Sequence, residues 1–106
     1  MVKLITVKKA QEEIIRLQEY VDLVDSYEVS TLDTWIIKEY ALTNSIKEVV
    51  KQGAAAGMIQ PNREPLDKAY VVSVINGKAT DKLHRLVRSG YRLKIKPSQK
   101  YKRTYS

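Results

Sequence analysis

The chain contains no cysteine and only one histidine, His84. The first absence excludes disulfides and thiolate metal sites. The second excludes a metal centre built from several imidazoles. No apolar run approaches the ~18 residues that a membrane span needs, so no membrane partner is expected. The opening residues, Met1-Val2-Lys3-Leu4-Ile5-Thr6-Val7, lack the apolar region and small-residue cleavage site of a secretory signal, and a cytoplasmic protein is expected. Paired carboxylates, a metal-ligand cluster and a glycine-rich phosphate loop are also missing, so neither an enzyme nor a cofactor is expected.

What is abundant is positive charge, and it is concentrated. From Lys78 to Ser106 there are ten Lys or Arg and one acidic residue, Asp81, a net +9. The first 77 residues hold nine Lys or Arg and eleven Asp or Glu, a net −2. Such asymmetry points to a polyanionic partner. The basic segment is also patterned. Thr80 to Ser89 reads as a short helix, with Gly90 as a left-handed stop. Tyr91-Arg92-Leu93-Lys94-Ile95-Lys96 alternates apolar and cationic residues as a strand does. Pro97-Ser98-Gln99-Lys100 reads as a turn, and Tyr101 to Tyr105 as a returning strand.

At 106 residues the chain is long enough for one domain and one modest core. Thr6 can cap a helix. After it, Val7, Ala10, Ile14, Leu17, Val21 and Val24 recur at alternating steps of three and four, a heptad stripe. This predicts either a homodimer through residues 7–24 or a long core helix within the monomer. Ser30 with Asp33, and Ser45 with Glu48, have the spacing of reciprocal helix caps. Leu32, Trp35, Ile36 and Tyr40 form an expected buried face. Residues 32–52 fit one long helix, or two helices without a DNA role. Residues 58–65 form a joint between an N-terminal helical part, 6–57, and a basic part, 66–106. Residues 66–75 read as a helix with Leu66, Val71 or Tyr70, Val74 and Ile75 inward, closed by Gly77.

Residues 70–91, YVVSVINGKATDKLHRLVRSGY, resemble a DNA-binding helix-turn-helix followed by a wing. Val72 stands at the family's inward position, Ser73 at its small position and Gly77 in the turn. Leu83 and Leu86 stand at the inward positions of the recognition helix. Asn76 and Lys78 depart from the pattern, since apolar residues are usual there. The resemblance implies a mainly α fold with a small C-terminal β-hairpin, winged-helix-like, and duplex DNA as partner.

If Leu83, Leu86 and Val87 point inward, Asp81, His84, Arg85 and Arg88 share the outer face. Arg85 and Arg88 could then read guanine edges or bind phosphates. Lys78, Thr80 and Lys82 join the expected DNA-binding set near the helix start. On the hairpin, Arg92, Lys94, Lys96, Lys100, Lys102 and Arg103 would form a cationic surface. The expected function is a small sequence-specific regulator of transcription, bacterial, phage or plasmid in type. The alternatives are a binder of RNA or single strands, stacking bases on Tyr91, Tyr101 and Tyr105, and a protein-interaction adaptor or inhibitor working through the heptad helix.

Overall fold

The structure is a computed structural model that describes residues 4–105, with side chains described from residue 4 to residue 95. Among the described residues five helices follow one another: α1 (Val7–Ser26), α2 (Leu32–Thr43), α3 (Ile46–Ala55), α4 (Lys68–Asn76) and α5 (Lys82–Tyr105). α2 lies at the centre and packs against the other four.

Local chemistry sets most helix starts. The Thr6 hydroxyl accepts from the Lys9 N–H at 3.1 Å, as its position predicts. α2 starts one residue later than the Ser30–Asp33 pairing suggests. Thr31 is the cap, and Thr34 closes the reciprocal box. The Ser45 hydroxyl accepts from the Glu48 N–H at 3.2 Å. Residues 32–52 are therefore two helices. Asn44, at φ 51°, ends α2 in the left-handed region that Asn tolerates. Asp67 caps α4 by accepting from the Tyr70 N–H at 2.8 Å.

One core draws on both sides of the 58–65 joint. Its fully buried side chains are Ile36 and Ile37 of α2, Val49 of α3, Val71 and Ile75 of α4 and Leu83 of α5. Leu66, Val71, Val74 and Ile75 point inward, as the helical reading of 66–75 predicts. The joint is itself built. The Gln60 side-chain amide donates to the Pro65 carbonyl at 2.8 Å, and the Gln60 N–H donates to the Glu64 carbonyl at 2.9 Å. This places Leu66 against Gly53, in the last turn of α3.

Gly53 is the position of closest approach. A Cβ added there would lie 2.5 Å from Leu66 Cδ2. In an isolated helix, Gly→Ala gains roughly 1 kcal/mol. Here the buried Leu66 would have to move, and overpacking costs about 1–3 kcal/mol. Gly53→Ala should therefore lower stability in denaturant unfolding. A rise in stability would show that Leu66 moves aside freely.

The C-terminal β-hairpin expected from the sequence is not formed. Among the described residues there is no strand, only an isolated antiparallel bridge between Ile59 and Pro65. Residues 91–105 continue α5, so the turn at 97–100 and the returning strand at 101–105 are replaced by helix. Gly90 lies inside that helix and does not end it. The reason is that Tyr91–Lys96 satisfies two periods. At period 3.6, Leu83, Val87 and Tyr91 form one inward row at steps of four. Leu, Lys and Arg are also good helix formers.

Candidate nucleic-acid interface

The head of α5 is fixed by Asp81. Its Oδ1 accepts from the His84 N–H at 2.8 Å, and its Oδ2 accepts from the Tyr27 hydroxyl at 2.8 Å. One carboxylate thus caps α5 and ties it to the segment after α1. Burial, reinforced by the Asp81 carboxylate, pushes the Tyr27 hydroxyl well above the usual tyrosine range. Burial also raises Tyr20, Tyr40 and Tyr70, the last with help from its bond to Asp33.

The sign of the linkage follows. These groups stay protonated in the fold beyond the pH at which the unfolded chain ionises, about 10. Their contribution is fully present below that pH and is lost as pH rises through the folded values. Stability should therefore fall above about pH 10, and Tyr27→Phe should make that fall shallower. Denaturant unfolding from about pH 7 to about pH 11 tests this. Equal steepness in the two proteins would contradict it.

The basic residues of α5 and of the turn before it divide into two sets. The first set holds the helix ends beside it. The His84 Nε2–H donates to the Val74 and Ile75 carbonyls at 2.9 and 3.1 Å. Arg88 Nη1 donates to the Gly77 carbonyl at 3.2 Å, and Arg92 Nε donates to Asn76 Oδ1 at 3.1 Å. At steps of four, these three residues line the C-terminal end of α4. The positive charges of Arg88 and Arg92 there also complement the helix dipole. Lys94 Nζ does the same for α2, donating to the Asn44 carbonyl at 2.6 Å.

His84 and Arg88 are therefore half-buried positioning groups, which corrects the outward placement read from the sequence. The inward pair on α5 is Leu83 and Val87, while Leu86 is 43% exposed. On α4, Val71 and Val74 are buried, Val72 is half-buried and Ser73 is exposed. Gly77 has φ −68°, so the turn does not use the left-handed conformation expected of it.

The second set faces solvent. Lys78, Lys82 and Arg85 are exposed, and their side chains make no hydrogen bond or ion pair among the described residues. Thr80 is exposed beside them in the α4–α5 turn. Lys96, Lys100, Lys102 and Arg103 fall on the continuing helix, and their side chains lie outside the described residues. The only ion pair among the described residues joins Arg16 and Glu13, both on α1. No described carboxylate forms an ion pair with the α5 cations.

Sequence reasoning missed Asn44 and Asn76 as partners of Lys94 and Arg92, and Asp81 as the cap of α5. The Asp81-x-x-His84 spacing was the available signal for a cap. A groove of about 450 Å³ between α1, α2 and α5 is apolar apart from its tyrosines, Asn44 and Lys94. Among the described residues, no group of three His, Asp or Glu is placed to hold a metal, and no helix is long and apolar enough to cross a membrane. No family model matches the chain, and no curated protein or solved structure is detectably similar to it.

Proposed function

We propose that this chain binds duplex DNA through the outer face of α5 and the α4–α5 turn, as a small regulator of transcription. The observation that carries the reading is a set of exposed cations without a side-chain partner among the described residues, Lys78 in the α4–α5 turn and Lys82 and Arg85 in the first turn of a basic 24-residue helix. A helix of that length spans about 36 Å, and the major groove of B-DNA admits an α-helix. The clamp of His84, Arg88 and Arg92 on α4 gives α5 a fixed seat, so its outer face is presented in one orientation. α4 and α5 then act as a helix-turn-helix pair without a wing. Arg85 is the residue assigned to base edges, and Lys78, Thr80 and Lys82 are assigned to phosphates.

One observation weakens the single-strand alternative. Tyr91 is half-buried and packs edge-on against Tyr40, with ring centroids 6.1 Å apart, so it is not displayed for base stacking. The test is fluorescence anisotropy with labelled duplex DNA, single-stranded DNA and single-stranded RNA over a salt series. Tighter binding to the duplex, weakening steeply with salt, supports the proposal. Preference for either single strand, or no binding to the duplex at low salt, removes it.

A further inference from the structure

The groove of about 450 Å³ between α1, α2 and α5 has the size of a small-molecule site, since such sites occupy about 300–1,000 Å³. Tyr20, Tyr40, Leu86 and Leu93 line it. Beyond Tyr20 and Leu86 the cleft between α1 and α5 turns polar, with Arg16, Glu19 and Lys82. The apolar part is therefore short. From Leu86 to Leu93, α5 rises about 10 Å.

Three features of this groove serve no contact within the chain. The first is Gly90, which lines it. A glycine inside a helix costs stability relative to alanine. Gly53 is held to that cost by Leu66, but a Cβ added at Gly90 would meet no atom within 4 Å. Packing does not require a glycine there, and its missing side chain leaves room for a ligand to approach the backbone.

The second is Tyr40, which is only 4% exposed. The Tyr27 and Tyr70 hydroxyls each donate to a carboxylate, whereas those of Tyr40 and Tyr20 have no partner among the described residues. No unpartnered side-chain N or O atom among the described residues is buried. The Tyr40 hydroxyl therefore opens on the surface that Tyr40 lines, which is the groove. The third is Lys94. Its ammonium has three donors, and one of them goes to the Asn44 carbonyl. No acidic residue lines the groove, and no described carboxylate forms an ion pair with Lys94.

An apolar slot with two free hydroxyls and one cation matches a molecule with an apolar body and a single negative charge. A carboxylate carries one charge, whereas a phosphate monoester carries close to two. Burial raises both tyrosine hydroxyls, so each remains a donor at neutral pH. We propose that this groove binds a medium-chain carboxylate, its chain lying over Gly90 between the tyrosines and leucines and its head group on Lys94. The site stands apart from the nucleic-acid reading, because Lys78, Lys82 and Arg85 do not line the groove.

Titration calorimetry of the full chain with decanoate, decanol and decylammonium, each below its micellar concentration, tests the site. Decanoate should bind as one molecule per chain and about tenfold or more tighter than decanol, as a hydrogen bond to a charged group requires. Decylammonium should bind most weakly. Lys94→Gln should reduce decanoate to the affinity of decanol, and Lys94→Arg should keep most of the preference. Gly90→Leu should fill the groove and abolish binding of all three. Its urea midpoint should be equal to or higher than the parent's, because leucine is the better helix former and its Cβ meets no atom there. Decanoate that does not saturate, that binds as several molecules per chain, or that binds no tighter than decanol overturns the proposal. So does a folded Gly90→Leu variant that binds as the parent does, or a folded Lys94→Gln variant that keeps the preference.

Discussion

Leu83→Ala is expected to remove a large part of the stability of this protein, whereas Leu86→Ala, three residues on, should cost little. Leu83 is fully buried at the crossing of α5 with α2 and α4. Truncating a buried leucine loses its transfer free energy and leaves a cavity, at a cost of about 2–5 kcal/mol. Small domains have only about 5–15 kcal/mol to lose, so Leu83→Ala should leave a marginal or partly unfolded chain. Leu86 is 43% exposed, and its removal should shift stability by no more than about 1 kcal/mol. Val87→Ala should fall on the costly side, because Val87 is 4% exposed. The three midpoints in urea decide the rotation of α5 about its axis. Equal losses at Leu83 and Leu86, with little at Val87, would contradict the structure.

That rotation is where sequence and structure part. Taking Leu83, Leu86 and Val87 as the inward set places His84 and Arg88 on the solvent side. The structure uses Leu83, Val87 and Tyr91, which turns α5 by roughly half of one 100° residue step. The turn is small, but it moves His84 and Arg88 from solvent to the carbonyls that end α4. Sequence spacing alone could not weigh those two rotations, because the deciding partners, Val74, Ile75 and Gly77, come from another helix.

Local signals were read more securely. The Thr6 cap, the Ser45 cap and the inward face of α4 all depend on residues within one or two turns, and each is present. The hairpin failed for a related reason. A six-residue alternation of apolar and basic residues is compatible with a strand, but the inward row that begins at Leu83 continues at Tyr91 only if the chain stays helical. Helix-length context, rather than the local alternation, decided the outcome. Asn44 in the left-handed region, which separates α2 from α3, was half legible in the turn-like Leu42-Thr43-Asn44 run.

Replacing Lys78, Lys82 and Arg85 together with Gln should weaken binding to every duplex by about two orders of magnitude near ~0.1 M salt. The estimate rests on counterion release. Each phosphate contact contributes about −0.9 to the log–log slope of affinity against salt. Losing the Lys78 and Lys82 contacts flattens the slope accordingly. The fold should be untouched, since all three side chains are exposed and surface changes usually stay within about 0.5 kcal/mol each. Arg85→Ala alone should add a loss specific to the best site, about 1–3 kcal/mol if the contact to guanine is bidentate.

Arg88→Gln provides the contrast. It also removes one positive charge, but its guanidinium holds the Gly77 carbonyl at the end of α4. Its main effect should therefore appear in unfolding, with binding changed mostly through the seat of α5. Anisotropy across a salt series, with circular dichroism as the folding control, separates the two. If the folded triple variant keeps the affinity and slope of the parent, the outer face of α5 is not the interface. If Arg88→Gln matches the triple variant in slope while unfolding like the parent, then charge alone, and not the division between clamp and outer face, governs the helix.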